Sequence, residues 1–351
     1  MALTSVAIKT RAREIGFDLC GIAPAERFPQ LAFLRQWLDR GYAGEMAYMA
    51  RSADRRSDVC AVVPGARSVI VTGSVYNTVP PYSSAEPDQG HGIVSRYAWG
   101  DDYHDVLEER MERLLAWMRA TATEPFDART YVDTGPVQER VYAEQAGLGW
   151  VGKNTCLINP ELGSWLFLAE IVCTLVLEPD APAFDQCGSC TRCLSACPTG
   201  ALVEPGVLDA TRCISYLTIE LRTGIPEPLR SPIGANVYGC DICQDVCPYN
   251  QAAPVSADPA WQARPGLAAP RLADAWRRTD ADWRALTKGS PMTRAKLTGL
   301  RSNIAVAIGN SHDGDARRAL GESSPDRRSD ADQMVQEHVR WAIDSRERRD
   351  R

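Results

Sequence analysis

Cys187-Gly-Ser-Cys190-Thr-Arg-Cys193-Leu-Ser-Ala-Cys197-Pro198 opens a stretch that runs through Cys213 to Cys240-Asp-Ile-Cys243-Gln-Asp-Val-Cys247-Pro248. The first run has the spacing of a bacterial-type iron–sulfur site, proline included, in which three thiolates hold one cluster and the fourth reaches a second. The second run is the same pattern with its first cysteine missing. Val237 stands in that slot, and Cys213 is the cysteine nearby that can fill it. The spacing therefore assigns one 4Fe-4S cluster to Cys187, Cys190, Cys193 and Cys247. The other falls to Cys197, Cys213, Cys240 and Cys243. Structural zinc would suit the C-x2-C pairs but not two C-x3-C-P tails. Disulfides would suit a small secreted domain, which a chain of 351 residues is not.

Around this cassette the composition is that of an ordinary globular protein, with length enough for two or three domains. No apolar run approaches the ~20 residues a membrane helix needs, and Met1–Arg13 shows neither a secretory nor a twin-arginine signal, so a cytoplasmic protein is expected. Cys20, Cys60, Cys156 and Cys173 lie outside the cassette and read as buried small hydrophobes. The net charge of −6 argues against wholesale coating of nucleic acid. Residues 261–301 are an exception, with nine Lys or Arg against three acids and with Trp261, Trp276 and Trp283 interleaved. That is either a local phosphate-binding surface or a solvated helix face.

Upstream of the cassette, hydrophobic periodicity predicts helices over 3–16, 27–40 and 104–120, and strands over 17–23, 68–72 and 130–133. Thr134 is expected to cap a helix over 136–146 with Pro136 at its first position. Strands over 155–159 and 164–178 are expected to pair, and residues 77–92 form a polar loop. The result is an α/β or α+β domain over 1–180, a linker at Pro179–Phe184, the cassette over 181–255 and a helical end over 256–351. Helices over 293–309 and 327–345 suggest a short HEAT-like solenoid there.

Two features invite a chemical reading. Gly147-Leu-Gly-Trp-Val-Gly-Lys-Asn-Thr155 nearly matches a P-loop. However, Asn154 stands where Ser or Thr must hold magnesium, and the glycines follow a helix rather than a strand. A glycine-rich turn that lets backbone approach some other large ligand is the better reading. Asp133 ends a strand beside Gly135-Pro136, where a carboxylate can face a cleft and transfer a proton, or can cap the following helix. His91, His104, His312 and His338 form no cluster in the sequence.

The whole chain resembles the epoxyqueuosine reductases, which complete the queuosine base in tRNA. The resemblance rests on Gly41–Met46 with Tyr48-Met49, Pro64–Ile70, and Ser95–Gly100 with Asp102-Tyr103-His104. It continues through Val132–Pro136 with Glu139-Arg140, Gly149–Thr155, Gly163–Trp165, Cys213–Glu220 and Tyr238–Cys240. It implies an α+β fold: an N-terminal α/β cobalamin-binding domain, a ferredoxin-like two-cluster domain and a HEAT-like helical region. The implied reaction is a two-electron removal of the epoxide oxygen at the wobble base of tRNA. Asp133 is then the proton donor. Arg56 becomes a corrinoid contact, and Lys153, Asn154, Thr155, Ser164 and Trp165 lie near the cofactor. No Asp-x-His-x-x-Gly motif is present, so the cobalamin is expected base-off, without a histidine from the protein. The basic stretch becomes a tRNA contact through Arg277, Arg278, Arg284, Lys288, Arg294 and Lys296. A monomer served by an unidentified electron donor is expected. A corrinoid reductive dehalogenase and a ferredoxin-type electron carrier are the competing readings.

Overall fold

The computed structural model describes residues 3–79, 82, 90–322, 326–327 and 332–349. Parts of the expected 77–92 loop and of the expected last helix lie outside them. Helix α1 (Ser5–Ile15) starts where the Thr4 side chain accepts from the Ala7 amide and stops at Gly16, whose φ of 112° favours glycine. Strands β1 (Leu19–Pro24) and β2 (Ser68–Val75) follow, then helix α2 (Tyr103–Thr121), strand β3 (Ala128–Tyr131), helix α3 (Glu139–Gln145) and strand β4 (Leu166–Cys173).

The four strands make one sheet in the order β1-β2-β4-β3, and every pairing is antiparallel. The domain is therefore α+β rather than α/β. The register sets Glu170 between Val71 and Tyr131. Side chains alternate across the sheet. Phe167, Ala169, Ile171 and Cys173 face the core shared with α1 and α2. Leu168 and Val172 face the core under α3, with Tyr142 and Ala143. Glu170 falls on that second face.

Two local expectations change. Leu157–Ile158 pairs with Trp150–Val151, not with residues 164–178, because β4 is taken up by β2 and β3. Helix α3 begins at Glu139, after a run of bends over 132–137, with Gln138 before it making no side-chain cap. Thr134 and Pro136 therefore do not start it.

The C-terminal half is built around helix α4 (Lys296–Asn310), buried from Leu300 through Gly309, with helix α5 (Gln333–Arg349) packed on it. Val94, Ala98 and Trp99 from the N-terminal half share this core with Tyr216, Val237, Tyr238 and the α4–α5 residues. Trp276 and Trp283 belong to it, and Trp261 belongs to the α1–α2 core. The interleaved tryptophans of the basic stretch are thus core residues. The expected linker is strapped down: the Asp180 carboxylate accepts from the Ile22 amide, and the Ala183 amide donates to the Glu144 carbonyl.

A candidate redox active site

The eight cassette thiols fall into two neighbourhoods. Burial raises the Cys193 thiol, and Cys187 and Cys190 beside it add to the effect. Cys247 is likewise raised by burial and then by Cys187 and Cys193. In the second neighbourhood burial raises Cys213, with Cys197 adding. Cys240 is held well above the usual thiol range by burial, then by Cys213 and Cys197. Cys243 feels Cys240 and Cys213. Cys187, Cys190, Cys193 and Cys247 thus lie in one neighbourhood, and Cys197, Cys213, Cys240 and Cys243 in the other. Crowded thiols that disfavour one another's ionisation are what a cationic cluster would relieve. Among the described residues no three His, Cys, Asp or Glu converge on a point suited to one metal ion. Two groups of four soft sulfur donors match iron–sulfur chemistry. Two N–H donors already point at sulfur: Trp150 Nε1 lies 3.4 Å from Cys187 Sγ, and the Ala201 amide 3.3 Å from Cys197 Sγ. Cys156, expected to be an inert buried residue, instead sits against Cys243 and interacts with its thiol.

The glycine-rich stretch clasps the cassette. Lys153 Nζ donates to the Gly188 and Cys190 carbonyls at 2.5 and 2.9 Å, and Asn154 Nδ2 to the Cys243 carbonyl at 3.2 Å. Ser164 Oγ bonds Gln244 at 2.9 Å, and its amide bonds the Asn250 side chain at 2.7 Å. These three residues join the N-terminal domain to the cassette rather than reaching into an open cleft. The glycines serve the chain's own backbone. A Cβ on Gly149 would meet the Ile158 carbonyl oxygen at 2.2 Å, and one on Gly147 the Ala181 carbonyl oxygen at 2.7 Å. Trp165 is fully buried, with its Nε1 unpartnered among the described residues. Thr155 is held at φ 66°, its carbonyl accepting from Arg140.

Asp133 lies at the end of β3 with φ 53°, a left-handed backbone that is costly for a residue with a Cβ. The Glu139 carboxyl holds it there, accepting from the Asp133 amide at 2.6 Å. The Asp133 side chain is 59% exposed and caps no helix. It turns to His104, whose Nε2 lies 3.4 Å from its Oδ2, while Nδ1 lies 2.8 Å from Asp102 Oδ1. Tyr103 stacks on the His104 ring on one side and on Phe167 on the other. Enclosure in this recess opposes charge on Asp133. The His104 hydrogen bond and charge, the Tyr103 hydrogen bond and the Arg140 charge outweigh it and hold the carboxyl below its usual range. Burial likewise works against an imidazolium, but the bonds to Asp102 and Asp133 push His104 up to about 9. At neutral pH the pair holds one proton, mostly on the ring.

His104, Tyr103 and Glu139 were invisible as site residues in the sequence, although each stands in a stretch that carries the resemblance. Nothing local signals that His104, on α2, meets Asp133, 29 positions on. Glu170 was missed altogether. It is 0% exposed in an apolar layer, and neither carboxyl oxygen makes a well-formed hydrogen bond among the described residues. Burial, then the charges of Glu139 and Asp133, hold it protonated well above the carboxylate range.

Arg56 lies on the same side, donating to the Val137 carbonyl at 3.0 Å and adding a positive charge near Glu139. The basic stretch is more divided than its count suggests. Arg277 is paired with Asp315 and Glu322, Arg294 with Glu220, and Arg301 is fully buried against backbone carbonyls. Arg278 covers the Trp283 ring. Arg284, Lys288 and Lys296 are exposed.

Comparison with known proteins accounts for both halves of this arrangement. Residues 186–250 match the 4Fe-4S double cluster binding domain, and residues 56–134 match the family described as Epoxyqueuosine reductase QueG, DUF1730. The epoxyqueuosine reductase of Xanthomonas campestris pv. campestris is 42% identical over 338 residues, covering 96% of this chain and 94% of its own. That of Gloeobacter violaceus is 46% identical over 327 residues, covering 89% and 98%. An epoxyqueuosine reductase crystallised with an epoxyqueuosine-modified tRNA-Tyr stem loop superposes with a TM-score of 0.86 at 30% identity, over 97% of this chain and 89% of that one. The Bacillus subtilis enzyme, captured with its catalytic aspartate loop swung out of the active site, gives 0.84 at 30% identity, over 97% and 89%. With agreement of this length on both the recess and the cassette, the chain belongs to the epoxyqueuosine reductase family.

Proposed function

We propose that this chain reduces epoxyqueuosine to queuosine at the wobble position of tRNA, with Asp133 as the proton donor. The observation that carries the assignment is the paired geometry of Asp133: strained, anchored by Glu139, bonded to His104 and open to solvent on its remaining side. A carboxyl so placed can meet a substrate oxygen, and its imidazolium partner can supply the proton that it passes on. The dehalogenase and carrier readings give way to the family relationship.

The family uses cobalamin and two 4Fe-4S clusters, and the residues here fit both. Cys187, Cys190, Cys193 and Cys247 would hold one cluster; Cys197, Cys213, Cys240 and Cys243 would hold the other. The clusters store electrons singly, and the cobalamin, when bound, supplies a strongly reducing cobalt centre. Arg56 and the Thr155 turn border the recess where the corrin would lie. His104 commits both ring nitrogens to carboxylates, so it would act on protons there and would not ligate the cobalt. Lys153, Asn154 and Ser164 act one step back, keeping the cassette against the recess. Asp133 delivers its proton, His104 and Asp102 set its direction, and the Tyr103–Phe167 stack walls off water on that side.

Among the described residues no helix is long and apolar enough to cross a membrane. We place the protein in the cytoplasm, as a monomer served by an electron-donor protein. Its catalytic domain would span 1–180, its cluster domain 181–255 and its HEAT-like tRNA-contacting helices 256–351. Arg284, Lys288 and Lys296 are best placed for phosphate contacts, ahead of Arg277, Arg278 and Arg294, whose guanidinium groups are already engaged.

The test is anaerobic reconstitution with iron, sulfide and cobalamin, followed by mass spectrometry of epoxyqueuosine-containing tRNA. Asp133→Asn is expected to keep both kinds of cofactor and lose roughly a hundredfold or more of turnover. Full activity in that variant would overturn the role of Asp133, and absence of wild-type turnover the function itself.

A further inference from the structure

Removing an epoxide oxygen as water breaks two C–O bonds, forms one C=C bond, and consumes two electrons and two protons. The cofactors of the reaction supply the electrons. The His104–Asp133 pair holds one proton. The second comes from solvent or from the protein, and a protein source sits beside the Asp133 loop.

Glu170 lies in the apolar layer between the sheet and α3, and the half-buried Glu139 carboxyl stands beside it. Glu170 is 0% exposed, at the centre of β4, with Leu168 and Val172 on its own face. Its oxygens are enclosed, make no well-formed hydrogen bond among the described residues, and stand beside the Glu139 carboxyl. Glu139, in the first turn of α3, reaches from this layer to the recess, where its Oε1 takes the Asp133 amide at 2.6 Å. Two adjacent carboxyls, one of them fully buried, cannot both ionise, so between them they keep a proton. Glu170 in that layer serves no purpose of stability, since an apolar side chain of similar volume would pack there without the desolvation cost.

We propose that Glu139, backed by Glu170, is the proton reserve of the site: once Asp133 has given its proton to the departing oxygen, Glu139 returns one to the Asp133 carboxylate, so that the second protonation needs no water from outside. The inference rests on the function proposed above. Glu139 acts through Asp133 and is a positioning residue that also carries a proton. The groups facing it fit this role. Glu170 faces it from β4, Asp133 from the loop, Arg140 from its own helix and Arg56 from the helix Ala53–Arg56. Burial, then the Asp133 charge, push Glu139 up to about 8, against the weaker pull of the Asp133 amide and the two arginines. It therefore carries a proton at neutral pH, and Asp133, held below the usual range by the His104 imidazolium, can draw on it once that imidazolium has given up its own.

Glu139→Gln separates the two functions of the side chain, because the amide oxygen can still accept from Asp133 but the acidic proton is gone. Glu139→Ala removes both. Conversion of the tRNA stem loop would be followed in a single turnover from about pH 6 to about pH 9 with cofactor-loaded protein, alongside infrared titration of carboxylic-acid absorption. Glu139→Gln is expected to fall roughly tenfold or more at neutral pH, with cobalamin content and tRNA affinity unchanged, and to lose the alkaline decline that wild type shows around Glu139's titration. Wild-type rate and pH profile in Glu139→Gln, with only Glu139→Ala impaired, would reduce Glu139 to an anchor and overturn the proposal. The infrared arm stands apart from turnover. Wild type must show an acid band that fades near about pH 8 and is missing from Glu139→Gln. If wild type turns over no substrate, the functional reading has failed, while this band still decides for or against the reserve. If every carboxyl has ionised by about pH 6, the proposal falls without any variant, even should Glu139→Gln not fold.

Discussion

His104 bridges two aspartates, its Nδ1 at 2.8 Å from Asp102 Oδ1 and its Nε2 at 3.4 Å from Asp133 Oδ2. Asp102 also caps the helix that carries His104, accepting from its amide, so the ring is oriented by the same residue that starts α2. A carboxylate–histidine pair of this kind fixes the ring and the side of it that serves the chemistry.

The pairing ties stability to pH in a definite direction. His104 rises from 6.5 to about 9 on folding. Its contribution is fully present below about pH 6.5 and is lost as pH climbs through about 9, because the folded state binds the extra proton only in that window. His104→Gln should therefore unfold more easily than wild type at about pH 6, with the gap closing by about pH 10. Denaturant midpoints at the two pH values provide the check, and a gap that widens with pH would contradict the assignment.

The buried Glu170 works the other way. Its acid form is favoured in the fold, so the folded state binds more protons than the unfolded chain once the unfolded carboxyl ionises above about 4.3, and stability declines as pH rises from there. Glu170→Met should raise the denaturation midpoint, by about 1–3 kcal/mol near pH 8 and less near pH 5. Loss of stability at pH 8 would show that Glu170 has a partner that outweighs its burial.

Membership of the two thiol sets can be read by spin resonance. Cys213→Ser and Cys197→Ser should remove or alter the same reduced-cluster signal, and Cys190→Ser and Cys247→Ser the other. If Cys213→Ser perturbed the signal that depends on Cys190, the grouping would be wrong.

Lys153 holds the cassette through two carbonyls, one of them that of Cys190. Lys153→Met should leave cobalamin binding intact and speed iron loss to a chelator by roughly tenfold to a hundredfold, on the scale of about 1.5–3 kcal/mol for hydrogen bonds from a charged group. A variant that keeps its iron but loses the corrin would return Lys153 to the cofactor.

Salt dependence separates the charges of the basic stretch. Alanine at Arg284, Lys288 or Lys296 should each weaken tRNA binding and lower the slope of log affinity against log salt by about one where a phosphate contact is lost. Arg277→Ala should leave that slope alone and instead destabilise the fold, since its charge is met by Asp315 and Glu322.

The cassette was legible because its chemistry is local. Cysteine spacing is a short-range constraint of the cluster, so the two sets could be grouped before any fold was known. The helices α1 and α2 were legible for the same reason, their apolar spacing and their caps lying within a few residues of each other. The residues around Asp133 were not. His104 comes from a helix, Glu139 from the next helix and Glu170 from the middle strand of an antiparallel sheet, brought together by a register that no window of sequence contains. Charge counting is a poor guide to residues 261–301 on the same ground. Whether an arginine is left to solvent, meets an aspartate or meets a buried carbonyl depends on what the fold sets opposite it, as Arg284, Arg277 and Arg301 respectively illustrate. The order of residues alone determined which metals the chain can hold. Only the packing of strand on helix decided where its protons are kept, because a carboxyl's affinity for a proton is set by its surroundings and not by its neighbours in the chain.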